Sequence, residues 1–220
     1  MKKMIGFLLC ALPLLLLAGC VTAKSKDEVV RKCLAEASQR ERTGDFQGAL
    51  DQLNEALALD PKNGGALARR GMVKTKLNDT EGALQDFNLA ISNDADNSNY
   101  SAYLGRGLMY RQLKDTDKSL ADLNKAIELA PNMPQLHMAR GRTYAEAGLE
   151  KKAAEDFSRA LEFDPTAYEA HMDRAYAYKA LKQNDRAISD LNYVQLHSKD
   201  PVLVQRAREL LDELSEETGK

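Results

Sequence analysis

Residues 134–167 read PQLHMARGRTYAEAGLEKKAAEDFSRALEFDPTA. Counted from Pro134, the eighth residue is Gly141, the eleventh Tyr144, the twentieth Ala153, the twenty-fourth Phe157, the twenty-seventh Ala160 and the thirty-second Pro165. Small side chains at Gly141, Ala153 and Ala160 let two antiparallel helices approach closely, and Tyr144 and Phe157 fill the space beside them. Pro165 lacks the amide hydrogen that a helix interior needs, so it ends the second helix and turns the chain.

The same offsets return every 34 residues. They fall on Gly71, Ala83, Phe87 and Ala90 in residues 64–97, and on Gly107, Tyr110, Leu123, Ala126 and Pro131 in residues 100–133. Residues 168–201 place Ala175, Tyr178, Ala187 and Leu191 there, and residues 30–63 place Ala37, Ala49, Leu53, Ala56 and Pro61. β-branched and aromatic residues are sparse while Ala, Leu, Lys, Glu and Asp dominate, which excludes a sheet protein as the first expectation. A 34-residue period with this pattern of small and large residues resembles the tetratricopeptide repeat. The resemblance implies an all-α, right-handed superhelical solenoid of about five helix pairs. A single pair cannot bury its own apolar face, so the array depends on neighbours and on specialised ends. Ser25 and Glu28 have the spacing of a capping box before the first helix. Leu203, Ala207, Leu210, Leu211 and Leu214 recur at helical spacing, predicting a capping helix over residues 202–217.

Two departures interrupt the pattern. The first repeat lacks Gly at its eighth position and carries Cys33 where a large aromatic residue often sits, which predicts a loosely packed first helix. Two extra residues around Asn97 to Asn99 lengthen the connection between the second and third repeats. Asp94, Asp96 and Ser98 alternate as in a calcium loop, but Asn99 replaces the required Gly and Gly105 the closing Glu, so calcium is rejected. One regularity lies outside the packing pattern. The seventh position is Arg70, Arg106, Arg140 and Arg174, and the twenty-third is Asp86, Asp122, Asp156 and Asp190, while the first repeat has Glu36 and Gln52. Because the two positions change together, each Arg is expected to reach the Asp of its own helix pair.

The N-terminus is a separate object. Lys2 and Lys3 precede an uncharged apolar run from Met4 to Leu17, the pattern of a secretory signal. At about 14 residues the run falls short of the roughly 20 needed to span a bilayer. Leu17-Ala18-Gly19-Cys20 resembles the bacterial lipobox, which implies cleavage after residue 19 and acylation of Cys20. Two or more acyl chains give lasting membrane attachment. Residues 20–29 would then be the anchor and a short linker, holding the solenoid within about 25 Å of the bilayer. Val21 after the anchor cysteine is similar to the sorting pattern for an outer membrane facing the periplasm. The whole chain has 31 basic and 33 acidic residues, and without the leader 29 basic residues remain. With basic residues spread along the chain, no nucleic-acid-binding stripe is present. Cys10 leaves with the leader and Cys20 carries lipid, so Cys33 has no cysteine partner and is expected in the core.

The family resemblance further implies that the first helix of each repeat lines a concave groove, at repeat positions 2, 5, 9, 12 and 13. In repeats two to five these include Ala68, Met72, Lys76, Leu104, Leu108, Arg111, Met138, Arg142, Met172, Tyr176 and Lys179. Methionine and tyrosine with interspersed cations suit an amphipathic helix or an extended segment bearing a few acidic groups. Leu34 and Ser38 stand where some family members place the Lys and Asn that clamp a C-terminal carboxylate. No phosphate loop, metalloprotease helix, paired-cysteine zinc pattern or nucleophile elbow occurs, and no cofactor or small-molecule substrate is expected. His137 and His171 share the fourth position of successive repeats, too far apart across stacked helices to hold one metal, and are read as packing residues. The expectation is a lipid-anchored envelope adaptor that binds proteins or peptide segments. The alternative is a permanent structural subunit of an envelope secretion, pilus or outer-membrane assembly complex.

Overall fold

The computed structural model describes residues 23–93 and 99–218, and those residues form eleven helices and no strand. Five antiparallel pairs follow one another: α1 (Ala23–Arg42) with α2 (Phe46–Leu59), α3 (Gly64–Lys76) with α4 (Thr80–Ser92), α5 (Tyr100–Gln112) with α6 (Thr116–Leu129), α7 (Pro134–Glu146) with α8 (Glu150–Phe163), and α9 (Tyr168–Ala180) with α10 (Asn184–His197). A last helix, α11 (Pro201–Thr218), packs on α10 and α9. None of these helices is long and apolar enough to cross a membrane. The leader and Cys20 lie outside the described residues, as do Asp94, Asp96 and Ser98.

Local chemistry sets the helix ends. The side chains of Asp45, Asp79 and Asp115 accept hydrogen bonds from the amides of Gly48, Gly82 and Lys118, capping α2, α4 and α6. Asn63 and Asn99 do the same for α3 and α5, and Pro134 opens α7 at a position whose amide needs no partner. Each turn inside a pair passes through a left-handed residue at the fifteenth repeat position: Gly44 (φ 79°), Asn78 (62°), Lys114 (61°), Gly148 (72°) and Lys182 (58°). The reversal is thus common to all five repeats, although only two use glycine.

Close approach explains the small residues. A β-carbon added to Gly71 would sit 2.7 Å from Phe87 Cε1, and one added to Gly141 2.7 Å from Phe157 Cε1. Gly105 meets the same Phe87 ring from the next repeat. Phe87 is therefore enclosed between α3 and α5, and these two helices contact each other more extensively than any other neighbouring first helices.

Three expectations are corrected. The first helix is well packed, since Val30, Cys33 and Ala37 are buried and pack with Ala49, Leu53 and Ala56 of α2. Ser25 lies inside α1 and so does not cap it, and residues 23–29, expected as linker, are helical. The missing large side chain is offset by Val30 and Leu34, which close around Cys33.

Candidate functional site

The first helices of repeats two to four present an open stripe. Met72 is 38% exposed, Lys76 is exposed, and Leu104, Leu108 and Met138 are half-buried. On α9 Tyr176 continues it at 41% exposure. Two expected groove residues do not belong to this surface. Met172 is 1% exposed, because α11 covers it with Leu203, Ala207, Leu210 and Leu214. Ala68 is fully buried against Leu57, Leu67 and Ala102. A terminal helix that shields the apolar end of the array also shortens the groove, which runs from Met72 to Tyr176.

Of the expected cations Lys76, Arg111, Arg142 and Lys179, the last two have close carboxylates, as does Arg69, which the repeat positions did not assign to the groove. Arg69 Nε lies 2.6 Å from Glu41, Arg142 Nε 2.6 Å from Asp173, and Lys179 Nζ 2.6 Å from Glu213 of α11. Each pair joins neighbouring first helices, or α9 to the capping helix, so these charges stitch the concave face together. Arg111 differs. Its Nε is 3.5 Å from Glu146, which also faces Lys114 Nζ at 3.3 Å, and its buried Nη1 has no hydrogen-bond partner among the described residues. Two adjoining hollows share Arg111 and Glu146. One, of about 350 Å³, is walled by Thr75, Leu108, Gln112 and Lys114; the other, of about 280 Å³, by Arg142, Glu150, Phe157, Asp173 and Tyr176. Partial burial pushes the Glu150 carboxyl above its ordinary value.

A second set of charges lies within the helix pairs. Arg70, Arg106, Arg140 and Arg174 each donate two hydrogen bonds, from Nε and Nη2, to Asp86, Asp122, Asp156 and Asp190 at 2.6–2.8 Å. Hydrogen bonding to Asp122 and Asp156 raises the pKa of Arg106 and Arg140. Burial works to raise Asp156 and Asp190, but the bonds from Arg140, and from Arg174 with His171, outweigh it and hold both carboxyls below the usual range.

Each arginine has one further bond, absent from the sequence reading. Nη1 donates to Asn54, Asn88, Asn124 or Ser158, always the twenty-fifth residue of the preceding repeat. The recurrence of Asn there was the available signal. The ladder therefore links repeats as well as helices within a repeat. His137 and His171 belong to this structural layer: their Nε2 atoms hydrogen-bond the carbonyls of Pro131 and Pro165, the prolines of the preceding repeats, and His171 Nδ1 lies 2.7 Å from Asp190. Among the described residues no cluster of His, Cys, Asp and Glu is arranged to hold a metal.

Known proteins show the same architecture. No curated protein sequence matches the chain significantly. Among solved structures, PilF of Pseudomonas aeruginosa superposes with a TM-score of 0.73 at 16% identity, covering 85% of this chain and 86% of its own. A thermophilic repeat protein of Thermus thermophilus gives 0.70 at 22% identity, covering 83% and 98%. YrrB, described as having an unusual peptide-binding site, gives 0.61 at 21% identity, covering 86% and 100%. Tetratricopeptide repeat profiles match residues 34–98, 100–133 and 134–166. The matches span more than half of the sequence and follow its 34-residue register, so the chain belongs to the tetratricopeptide repeat family.

Proposed function

We propose that this protein is a lipid-anchored adaptor of a bacterial cell envelope that holds a partner protein through its concave face. The observation that carries the reading is the open stripe from Met72 through Leu104, Leu108 and Met138 to Tyr176, beside two hollows large enough for side chains. A concave, largely apolar surface with a few polar groups is the usual form of a peptide site. Thioethers at Met72 and Met138 adapt to differing shapes. The peptide site named for YrrB, a protein of similar fold, agrees with this use of the architecture.

Attachment rests on the Leu17-Ala18-Gly19-Cys20 motif. Residues 23–29, between the motif and the first repeat, are helical. A helix rises about 1.5 Å per residue against roughly 3.3 to 3.6 Å for an extended chain, so the repeats would lie closer to the bilayer than an extended linker allows. Confinement at a surface raises the effective concentration of partners in the same membrane layer.

Photocrosslinking in cells tests the groove. Probes at Leu108 and Tyr176 should capture the same partner, and a probe at Glu209 on α11 should not. Capture only from Glu209 would place the working surface elsewhere. Replacing Cys20 by Ser should release the protein from membranes, and retention would refute the lipid anchor.

A further inference from the structure

We infer that the groove selects an extended peptide segment through a single side-chain carboxylate seated on Arg111, with apolar neighbours on either side. The inference rests on the groove being the binding surface and names what that surface recognises. Arg69, Arg142 and Lys179 each have a carboxylate at 2.6 Å, whereas the Arg111 guanidinium has only the shared Glu146, at 3.5 Å, among the described residues. A guanidinium offers five donors, and Arg111 makes no hydrogen bond among the described residues while its Nη1 is enclosed. Glu146 is divided between Arg111 and Lys114, so two cations face one anion at the first hollow. An arriving carboxylate would convert that excess into charge-assisted bonds.

The second hollow has the opposite balance and limits the number of acids. Arg142 is neutralised by Asp173, and Glu150 stands beside it with no cation within salt-bridge distance among the described residues. A second acidic side chain there would meet Glu150 and Asp173 and be repelled. Tyr176, 41% exposed over the buried Phe157, instead offers apolar contact. The pattern is thus one acid followed by an apolar or basic side chain, and an acidic cluster is disfavoured.

Selection from a random nonapeptide display library on the full chain in detergent micelles tests this. Wild-type protein should enrich peptides with one Asp or Glu at a fixed position. Replacing that acid by its amide should weaken binding about tenfold, the scale of one hydrogen bond to a charged group. Arg111→Gln should abolish that preference with no change in melting temperature, and Arg142→Gln should retain it. Peptides that bind wild-type protein and are lost in Leu108→Glu, yet show no acidic position, would overturn the inference and leave the groove intact as a binding surface. Failure to enrich any peptide sensitive to Leu108→Glu would overturn both.

Discussion

Each Arg–Asp rung is a buried ion pair, so its value depends on both partners being present. Asp190 accepts from Arg174 and His171 and is 4% exposed. Asp190→Asn would leave Arg174 with a charge facing a neutral amide and should cost roughly 3 kcal/mol at neutral pH, read from urea unfolding. The pH dependence follows from the direction of the shift. The folded pKa lies below the unfolded value of about 3.9, so the stabilisation is fully present above that pH and is lost as pH falls through the folded pKa. The urea midpoint of Asp190→Asn should therefore fall less between about pH 5 and pH 2 than that of the wild type. An equal fall would show that Asp190 does not drive acid sensitivity. A second residue-scale prediction concerns Lys182, whose φ of 58° is strained for any residue with a β-carbon. Lys182→Gly should raise stability by about 1 kcal/mol, read from the same urea unfolding, despite the greater freedom of the unfolded chain.

The contact of α3 with α5 is the place where element geometry departs from the repeat average. Phe87 fills the space that Gly71 and Gly105 leave open on the two helices. Gly105→Ala should force these helices apart and destabilise the chain by about 1–3 kcal/mol. Phe87→Leu in the same protein should recover part of that loss, and strict additivity of the two changes would show that the ring is not the obstacle. Gly71 and Phe87 were legible in the sequence because they repeat; Gly105 was not, because it stands at the sixth position, where the other repeats carry Ala35, Arg69, Ala139 and Asp173. The same distinction applies to the site. Periodicity places Met72, Leu104, Leu108, Met138 and Tyr176 on one face, and these are the residues the structure leaves open. It says nothing of what a later element lays over that face, so Met172 and Lys179 were assigned to a surface that α11 occupies. Ser25 is an apparent cap inside α1, and Ala23 to Val29 contains no proline or glycine to mark where a helix must begin.

At the scale of the whole molecule, the array is a chain of nearest-neighbour interfaces, and its stability depends on how each end is closed. The C-terminal end is closed by α11, whose Leu203, Leu210 and Leu214 are buried with Met172, Leu191 and Val194. Undocking this helix would expose the apolar side of the fifth repeat and lengthen the groove by one unit. Leu210→Glu places a charge in that interface and should destabilise it strongly, because a buried carboxylate there has no designed partner. In a solenoid the loss should be local before it is global: hydrogen exchange in α9, α10 and α11 should quicken while α3 and α4 retain their protection. Salt should reproduce a weaker form of the effect through the Lys179–Glu213 pair, since Glu213 is exposed at 60% and open to screening. Equal acceleration of exchange along every helix would mean that the repeats unfold as one cooperative body and that α11 does not control the end of the groove independently.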